Sequence, residues 1–377
     1  MEPQNPRLKI LHVLTLNGPS GEYGGPVRVA RELCSELNRR GHQTHIISGA
    51  RKDSEPIAAR GLHESFELVR PLSRKFPISS LWSWKLLKRL SQEICKSDLV
   101  HIHFARDLIP FLAAFISILS RRPFVTQTHG MIIFDGRVST KIADFFFTRP
   151  LMNRSEANLV LTMKELEATK LLKVKVQSVV LPNGISVETS SFERAKSDQR
   201  IIFCARLEKR KGVDQFIHLA KDFESTNLKF EIYGPDGGQL DLVLEAVQQA
   251  GPSSGLQYNG AVKSDHVQDL LRNANLLILP SKDEPFPMVI LEALAVGIPV
   301  LVMPSCGFAE ILRNFNPNFV SKTESYSGLK STFEVLLRNN FLENSPSEIA
   351  LFCREYFGIQ KVVDLLETNY TRARMYV

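Results

Sequence analysis

Residues Leu8 to Leu16, LKILHVLTL, form a nearly unbroken apolar run that stops at a glycine-rich turn, and a helical pattern follows at once. A strand apolar on both faces belongs inside a parallel sheet with helices covering each side. In the helix, Val29, Ala30, Leu33, Cys34 and Leu37 fall at helical spacing across Val27 to Arg40, and Gly41 stands where a C-cap is wanted before a second strand, His45 to Ser48. The same order recurs at Leu99 to Phe104 with a helix after it, at Phe124 to Thr128, and at Asn158 to Thr162 before the helix Lys164 to Leu172. Strands alternating with helices predict an open, doubly wound parallel sheet.

Val179 to Asn183 closes this series at a Pro-Asn-Gly turn, and the grammar then restarts. Ile201 to Ala205, Lys229 to Tyr233, Leu256 to Tyr258, Leu276 to Leu279 and Val300 to Met303 read as strands, separated by helices beginning near Val213, Leu240, Ser264, Pro287 and Phe308. A chain of 377 residues has room for two domains. The boundaries are placed at 1–183 and 184–350, with a polar loop from Glu188 to Asp198. The helices of 351–377 lack a sheet of their own and are expected to cross back to the first domain. Ligands bind outside the carboxyl ends of strands in such sheets, so two facing sheets would enclose a cleft.

Composition excludes several classes. The charge-free apolar stretch Leu108 to Ser120 is thirteen residues and contains Pro110, short of the roughly 20 needed to span a bilayer. The N-terminus is polar and proline-containing with no secretory apolar segment, so a cytosolic protein is expected. Five dispersed cysteines, none in a C-x2-C pair, argue for buried reduced thiols instead of zinc or disulfides. Charge is unevenly divided: residues 1–183 carry 27 Lys and Arg against 16 Asp and Glu, and residues 184–377 carry 20 against 24. Opposite signs imply two domains with different partners. No nucleic-acid reader motif accompanies the positive excess, so nucleic acid is not an expected partner.

Several strand ends carry residues suited to chemistry. The turn Gly18 to Pro26, GPSGEYGGP, opens the helix that holds Arg28 and Arg31, and bare amides at a helix start attract phosphate. It is neither G-x-G-x-x-G nor a Walker loop, which demotes a dinucleotide dehydrogenase or a P-loop ATPase. Ala205 to Gly212, ARLEKRKG, places cations where a strand ends and a helix begins; Arg206 and Lys211 are fixed in direction there, whereas Lys209 and Arg210 read as solvated. Tyr233 to Gly238 is a second glycine-rich strand end that permits close backbone approach. In Pro280 to Val300, Glu284 lies in the loop before a helix opened by Pro287, and Glu292 lies between one and two turns inside that apolar helix. A carboxylate there requires donors, and sugar hydroxyls or a neighbouring arginine would both serve. His129 closes a strand of the basic domain. His101 and His103 share one strand face but have no carboxylate companions, so a metal is not expected.

Taken in order, these pieces resemble a family 4 retaining glycosyltransferase of the GT-B architecture, two Rossmann-like doubly wound domains facing across a cleft. The resemblance rests on Gly24-Gly25-Pro26 with Arg28, Thr128-His129-Gly130, Pro182-Asn183-Gly184, Arg206 with Lys211-Gly212, Gly234-Pro235, Glu284-x7-Glu292, and Gly297-Ile298-Pro299-Val300. It implies a nucleotide-diphosphate sugar as donor, UDP- or GDP-linked, with no separate cofactor and no metal. Arg206 and Lys211 would bind the pyrophosphate, aided by Gly24 and Gly25. Glu292 would hold the ribose. Glu284, with Phe286 and the amides of Met288 and Val289, would hold the transferred sugar, and Gly234 and Pro235 would line the nucleotide. The resemblance gives His129 a supporting role on that sugar and implies front-face attack, the departing phosphate taking the acceptor's proton.

Two departures matter. Pro287 stands where the family has the glycine of Glu-x-Phe-Gly and offers no amide, and Cys306 replaces the first glycine of Gly-Gly-x-x-Glu, which leaves no role assigned to Glu310. The acceptor is expected on the basic first domain. There Arg74 to Leu90 sets Trp82 and Trp84 among Lys75, Lys85, Lys88 and Arg89, a pattern suited either to an anionic membrane surface at the inner face of the plasma membrane or to a solvated helix with one buried Trp. A glycan or lipid-linked acceptor follows. The rivals are a nucleotide-sugar epimerase of the same fold and a non-catalytic nucleotide-binding protein.

Overall fold

The computed structural model describes residues 7–18, 24–52, 58–76, 79–132, 137–187, 199–251, 254–263, 266–341 and 344–375. The chain divides into two units, Met1–Gly184 with Ile359–Val377, and Ile185–Gly358.

The first unit holds β1 (Lys9–Leu16), α1 (Gly24–Arg39), β2 (Gln43–Ala50), β3 (Glu64–Leu68), β4 (Arg70–Pro71), β5 (Leu81–Trp82), α2 (Trp84–Lys96), β6 (Leu99–His103), α3 (Leu108–Leu119), β7 (Phe124–Gln127), α4 (Val138–Ala143), α5 (Arg149–Met152), β8 (Ala157–Val160), α6 (Met163–Leu171) and β9 (Ser178–Val180). Seven strands form one sheet in the order β3-β2-β1-β6-β7-β8-β9, and its pairs are parallel. The central strands are buried along their length, as their apolar runs require: every residue of β6, β7 and β8 is buried. Val13, Ile102, Phe104, Ala113 and Ala114 belong to the core that α2 and α3 close from one side.

The second unit holds β10 (Arg200–Cys204), α7 (Val213–Asp222), β11 (Lys229–Tyr233), α8 (Leu240–Ala250), β12 (Leu256–Tyr258), α9 (Val267–Arg272), β13 (Leu276–Leu279), α10 (Met288–Ala295), β14 (Val300–Val302), α11 (Ala309–Phe315), α12 (Tyr326–Arg338) and α13 (Pro346–Phe357). Its five-stranded parallel sheet runs β12-β11-β10-β13-β14. The expected alternation therefore holds in both units.

The boundary at the C-terminus differs from the expected one. Only α14 (Ile359–Met375) joins the first unit, and α13 stays with the second. The reason is aromatic packing: Phe357 of α13 sits against Phe286 and Phe308 at ring separations of 5.8 and 5.5 Å, and Phe352 stacks on Phe315 at 4.2 Å. α14 is held to the first unit by charge. Arg40, which follows α1, reaches Asp364 at 2.6 Å and Glu367 at 2.8 Å, and His42 meets Glu367 at 2.9 Å.

Three other expectations are corrected or fall outside the described residues. β3 was not expected; it is a half-exposed edge strand with no apolar run to announce it. Of the cysteines, which are all free, Cys34, Cys306 and Cys353 are buried but Cys95 is exposed and Cys204 half-buried. The polar loop Glu188 to Asp198, residues 19–23 of the first glycine-rich turn, and Ser264 lie outside the described residues.

Candidate active site at the strand ends

In the second unit, three loops meet at the carboxyl ends of β10, β11 and β13. The β10–β11 pairing continues past both strands, with the amide of Leu207 donating to Pro235 O at 2.9 Å and a bridge between Leu207 and Asp236. Gly234 lies at φ +153°, and a Cβ there would sit 1.8 Å from Ala205 O. Gly237 is similarly pressed against Arg206, whose Cγ would lie 2.9 Å from an added Cβ. These glycines let the Gly234–Pro235 loop lie flat on the segment that carries Arg206, which explains their place in the sequence. Gly234 is buried, while Pro235 is exposed.

Lys209–Lys211 forms a single 3-10 turn ended by Gly212 at φ +74°. An added Cβ at Gly212 would come within 2.3 Å of Pro280 O, so the turn packs directly on the loop after β13. The amide of Lys282 donates to Arg210 O at 3.0 Å, binding the two segments. Across that junction the Lys211 ammonium meets the Glu284 carboxylate at 2.6 Å, and Arg210 reaches the same oxygen at 3.1 Å. Both Lys211 and Glu284 are largely buried, with side-chain exposures of 15% and 11%. Arg206 pairs with Glu208 at 3.2 Å. Arg210, read from sequence as a solvated charge, thus belongs to the ion-pair group.

The Glu284 loop is held in a conformation that side chains rarely adopt. Asp283 has φ +50°, its amide donating to Ser305 Oγ at 3.0 Å, and Gly307 donates to Glu284 O at 2.8 Å. Phe286, expected to help hold a sugar, points into the aromatic cluster with Phe308 at 4.7 Å, so only its backbone is available. Pro287 is the N-cap of α10, and the half-buried Met288 and Val289 supply its first amides. Glu292 is buried at the fifth position of α10, with 2% exposure. Cys306 is buried and its thiol is pushed up to about 12 by burial, so it offers no thiolate here. Glu310 is exposed in the first turn of α11.

His129 belongs to the first unit. It follows β7 at φ +51°, ahead of Gly130 at φ +75°. Glu165 braces this turn: its two oxygens accept the amides of Gly130 at 2.8 Å and Leu161 at 2.7 Å, and burial raises its carboxyl. The sequence signal for it was present in Thr162-x-x-Glu165, since Thr162 caps α6 by accepting the Glu165 amide. Arg31 of α1 forms a two-pronged pair with Glu64 of β3, at 2.7 and 2.9 Å. α1 begins at Gly24, and Gly25 has open space where a side chain would be.

His12, His101 and His103 are the group among the described residues whose nitrogens could hold a metal, all within 4.8 Å of one another. Five of their six nitrogens are otherwise engaged, His12 Nε2 being the exception. His101 meets Tyr370 Oη at 2.6 Å and Gln127 Oε1 at 3.0 Å, and both nitrogens of His103 meet other imidazoles. A cation would have to displace these bonds, so the arrangement fits a hydrogen-bond network better than a metal centre.

The sequence matches two family models, Glycosyltransferase Family 4 over residues 23–189 and Glycosyl transferases group 1 over residues 187–350. An uncharacterised glycosyltransferase of Methanocaldococcus jannaschii is 26% identical over 80% of this chain and 82% of its own. The N-acetyl-alpha-D-glucosaminyl L-malate synthase of Bacillus anthracis is 22% identical over 92% of this chain and 93% of its own. Among solved structures, Anabaena HepE in complex with UDP and glucose superposes with a TM-score of 0.75 at 16% identity, covering 97% of this chain and 100% of that one. Two parallel-sheet units of this fold, matched end to end by two consecutive models, place the chain in the family 4 glycosyltransferases of GT-B architecture.

Proposed function

We propose that this glycosyltransferase moves a sugar, with retention of configuration, from a UDP- or GDP-linked donor to a glycan or lipid-linked acceptor in polysaccharide or envelope glycan synthesis. The observation that carries the donor assignment is the Lys211–Glu284 pair, with Arg210 on the same carboxylate, at the ends of β10 and β13, and Arg206 in the same β10 loop. That group couples diphosphate-binding cations to a carboxylate able to accept sugar hydroxyls. The Anabaena neighbour with UDP and glucose supports a uridine donor.

In the reaction, the bond from the sugar's anomeric carbon to the β-phosphate oxygen breaks, and the bond to the acceptor oxygen forms on the same face. The acceptor's proton passes to the departing phosphate. Charge grows on that phosphate as the bond lengthens, and Arg206 and Lys211 stabilise it with the α10 amides nearby. Each such stabiliser contributes roughly 3–4 kcal/mol to the transition state. Glu292 holds the ribose hydroxyls and Glu284 the sugar. Because the compensating charge comes from side chains, the reaction is expected to run without a divalent cation. Within the first unit, the candidate residues of this reading are Gly24 and Gly25 at the start of α1 and His129 after β7.

The acceptor side is supported by exposed aromatic and basic residues. Trp84 is 70% exposed beside Lys85 and Lys88. Phe145, Phe146 and Phe147 are each more than half exposed next to Arg149. No helix among the described residues is long and apolar enough to cross a membrane; the contact this reading calls for is peripheral, at the cytoplasmic leaflet. Thermal-shift screening against nucleoside diphosphates and their sugars tests the donor, and product anomer analysis by NMR tests retention. Donor consumed without acceptor to give an altered nucleotide sugar would establish an epimerase instead. Sedimentation with anionic liposomes tests the membrane: no binding at physiological salt would leave a soluble acceptor.

A further inference from the structure

Beneath His129 lies a line of imidazoles that the donor reading does not use. His12 of β1 pairs in register with His101 of β6, and His103 follows two residues along the same face. His12 Nδ1 lies 3.1 Å from His103 Nε2, and His103 Nδ1 lies 2.7 Å from His129 Nε2. The His103 and His129 rings are within 8° of parallel with centroids 4.9 Å apart, so at that N···N distance they meet edge to edge and the hydrogen bond lies near both ring planes. Burial keeps all three rings neutral, with His129 lowered to about 3.

A neutral imidazole carries one N–H, and both nitrogens of His103 face another imidazole. The chain therefore has two states only. Either His12 donates to His103 and His103 to His129, or every bond runs the other way. His12 Nε2 separates them, because it is buried and has no hydrogen-bond partner among the described residues. The outward direction leaves it a bare lone pair; the inward direction leaves it a buried, unbonded N–H, which is the rarer and costlier arrangement.

We propose that His12 and His103 are positioning residues that lock His129 as its Nδ1–H tautomer, so that Nδ1 can donate a hydrogen bond to a substrate oxygen and the ring cannot act as a general base. The positive φ of His129 and the Glu165 brace on Gly130 hold the ring at the end of this chain. The substrate contact rests on the transferase reading above; the tautomer does not.

The test is long-range 1H–15N correlation on 15N-histidine-labelled protein without nucleotide, with H129N identifying the His129 signals. The expected result is a protonated Nδ1 and a bare Nε2. In H103F, and in H12F as a second variant farther from His129, the signal moves toward the Nε2–H form that free imidazoles favour. Transfer then falls about tenfold in kcat with little change in donor KM. An Nε2–H ring in the unaltered protein, or a tautomer indifferent to both variants, overturns the proposal while leaving the donor assignment intact. The expected tautomer in a protein that binds no nucleotide sugar keeps this assignment and overturns the donor reading alone.

Discussion

The Lys211–Glu284 pair yields a prediction with opposite signs for its two members. Nζ lies 2.6 Å from Oε2, and Arg210 approaches the same oxygen at 3.1 Å, so in the ligand-free protein one carboxylate neutralises part of the charge offered to a diphosphate. Hydrogen bonds to charged groups contribute about 1.5–3 kcal/mol net, so Lys211→Ala should weaken nucleoside diphosphate binding roughly 10- to 150-fold. Glu284→Gln removes an opposing charge. At an effective dielectric of about 20, a unit charge ~6 Å away acts with roughly 3 kcal/mol before screening, so this variant should bind the diphosphate equally or up to ~10-fold more tightly. Its transfer rate should nevertheless fall about 100-fold, because the carboxylate proposed to hold the sugar is gone. Isothermal titration calorimetry with UDP and GDP at two ionic strengths measures the binding, and higher salt should shrink both effects. Glu284 keeps Arg210 in the lysine variant, so its melting temperature serves as the folding control. Variants that shift affinity in the same direction, or a Lys211→Ala protein that binds as the unaltered one does, would refute the reasoning.

Three further outcomes are expected. Gly234→Ala forces a Cβ to 1.8 Å from Ala205 O at a φ of +153°, a cost of about 3 kcal/mol or more; thermal unfolding should show a drop of about 6–12 °C. His101 is buried neutral with its proton affinity lowered to about 3, so the unfolded chain binds more protons between that value and about 6.5. Its contribution is complete above pH ~6.5 and is lost on acidification at about 1.4 kcal/mol per pH unit, so denaturant titrations of His101→Gln should show a flatter acid limb. Transfer activity should survive dialysis against EDTA, and full loss restored by a divalent cation would contradict the role given to Arg206 and Lys211.

Much of the fold was legible because parallel strands buried on both faces must be apolar throughout. β1, β6, β7, β10 and β13 announce themselves in that way, and the loops after them mark where side chains project. β3 was not legible, since an edge strand with one half-exposed face carries no such run. The allocation of α13 depends on Phe286, Phe308 and Phe357 meeting in space, which no local pattern encodes. The same holds at the sites. Arg206, Lys211 and Glu284 could be picked out because each stands at a strand end, whereas Arg210 looked like an ordinary solvated charge until the Glu284 loop folded against it. His101 and His103 were visible as one strand face; His12 joins them only because β1 and β6 are neighbours in the sheet.

A crystal structure of the protein with UDP or GDP bound measures the account most directly. The diphosphate oxygens should lie within hydrogen-bonding distance of Arg206 and Lys211, with the ribose hydroxyls on Glu292. A nucleotide seated elsewhere, with those three side chains untouched, would contradict it.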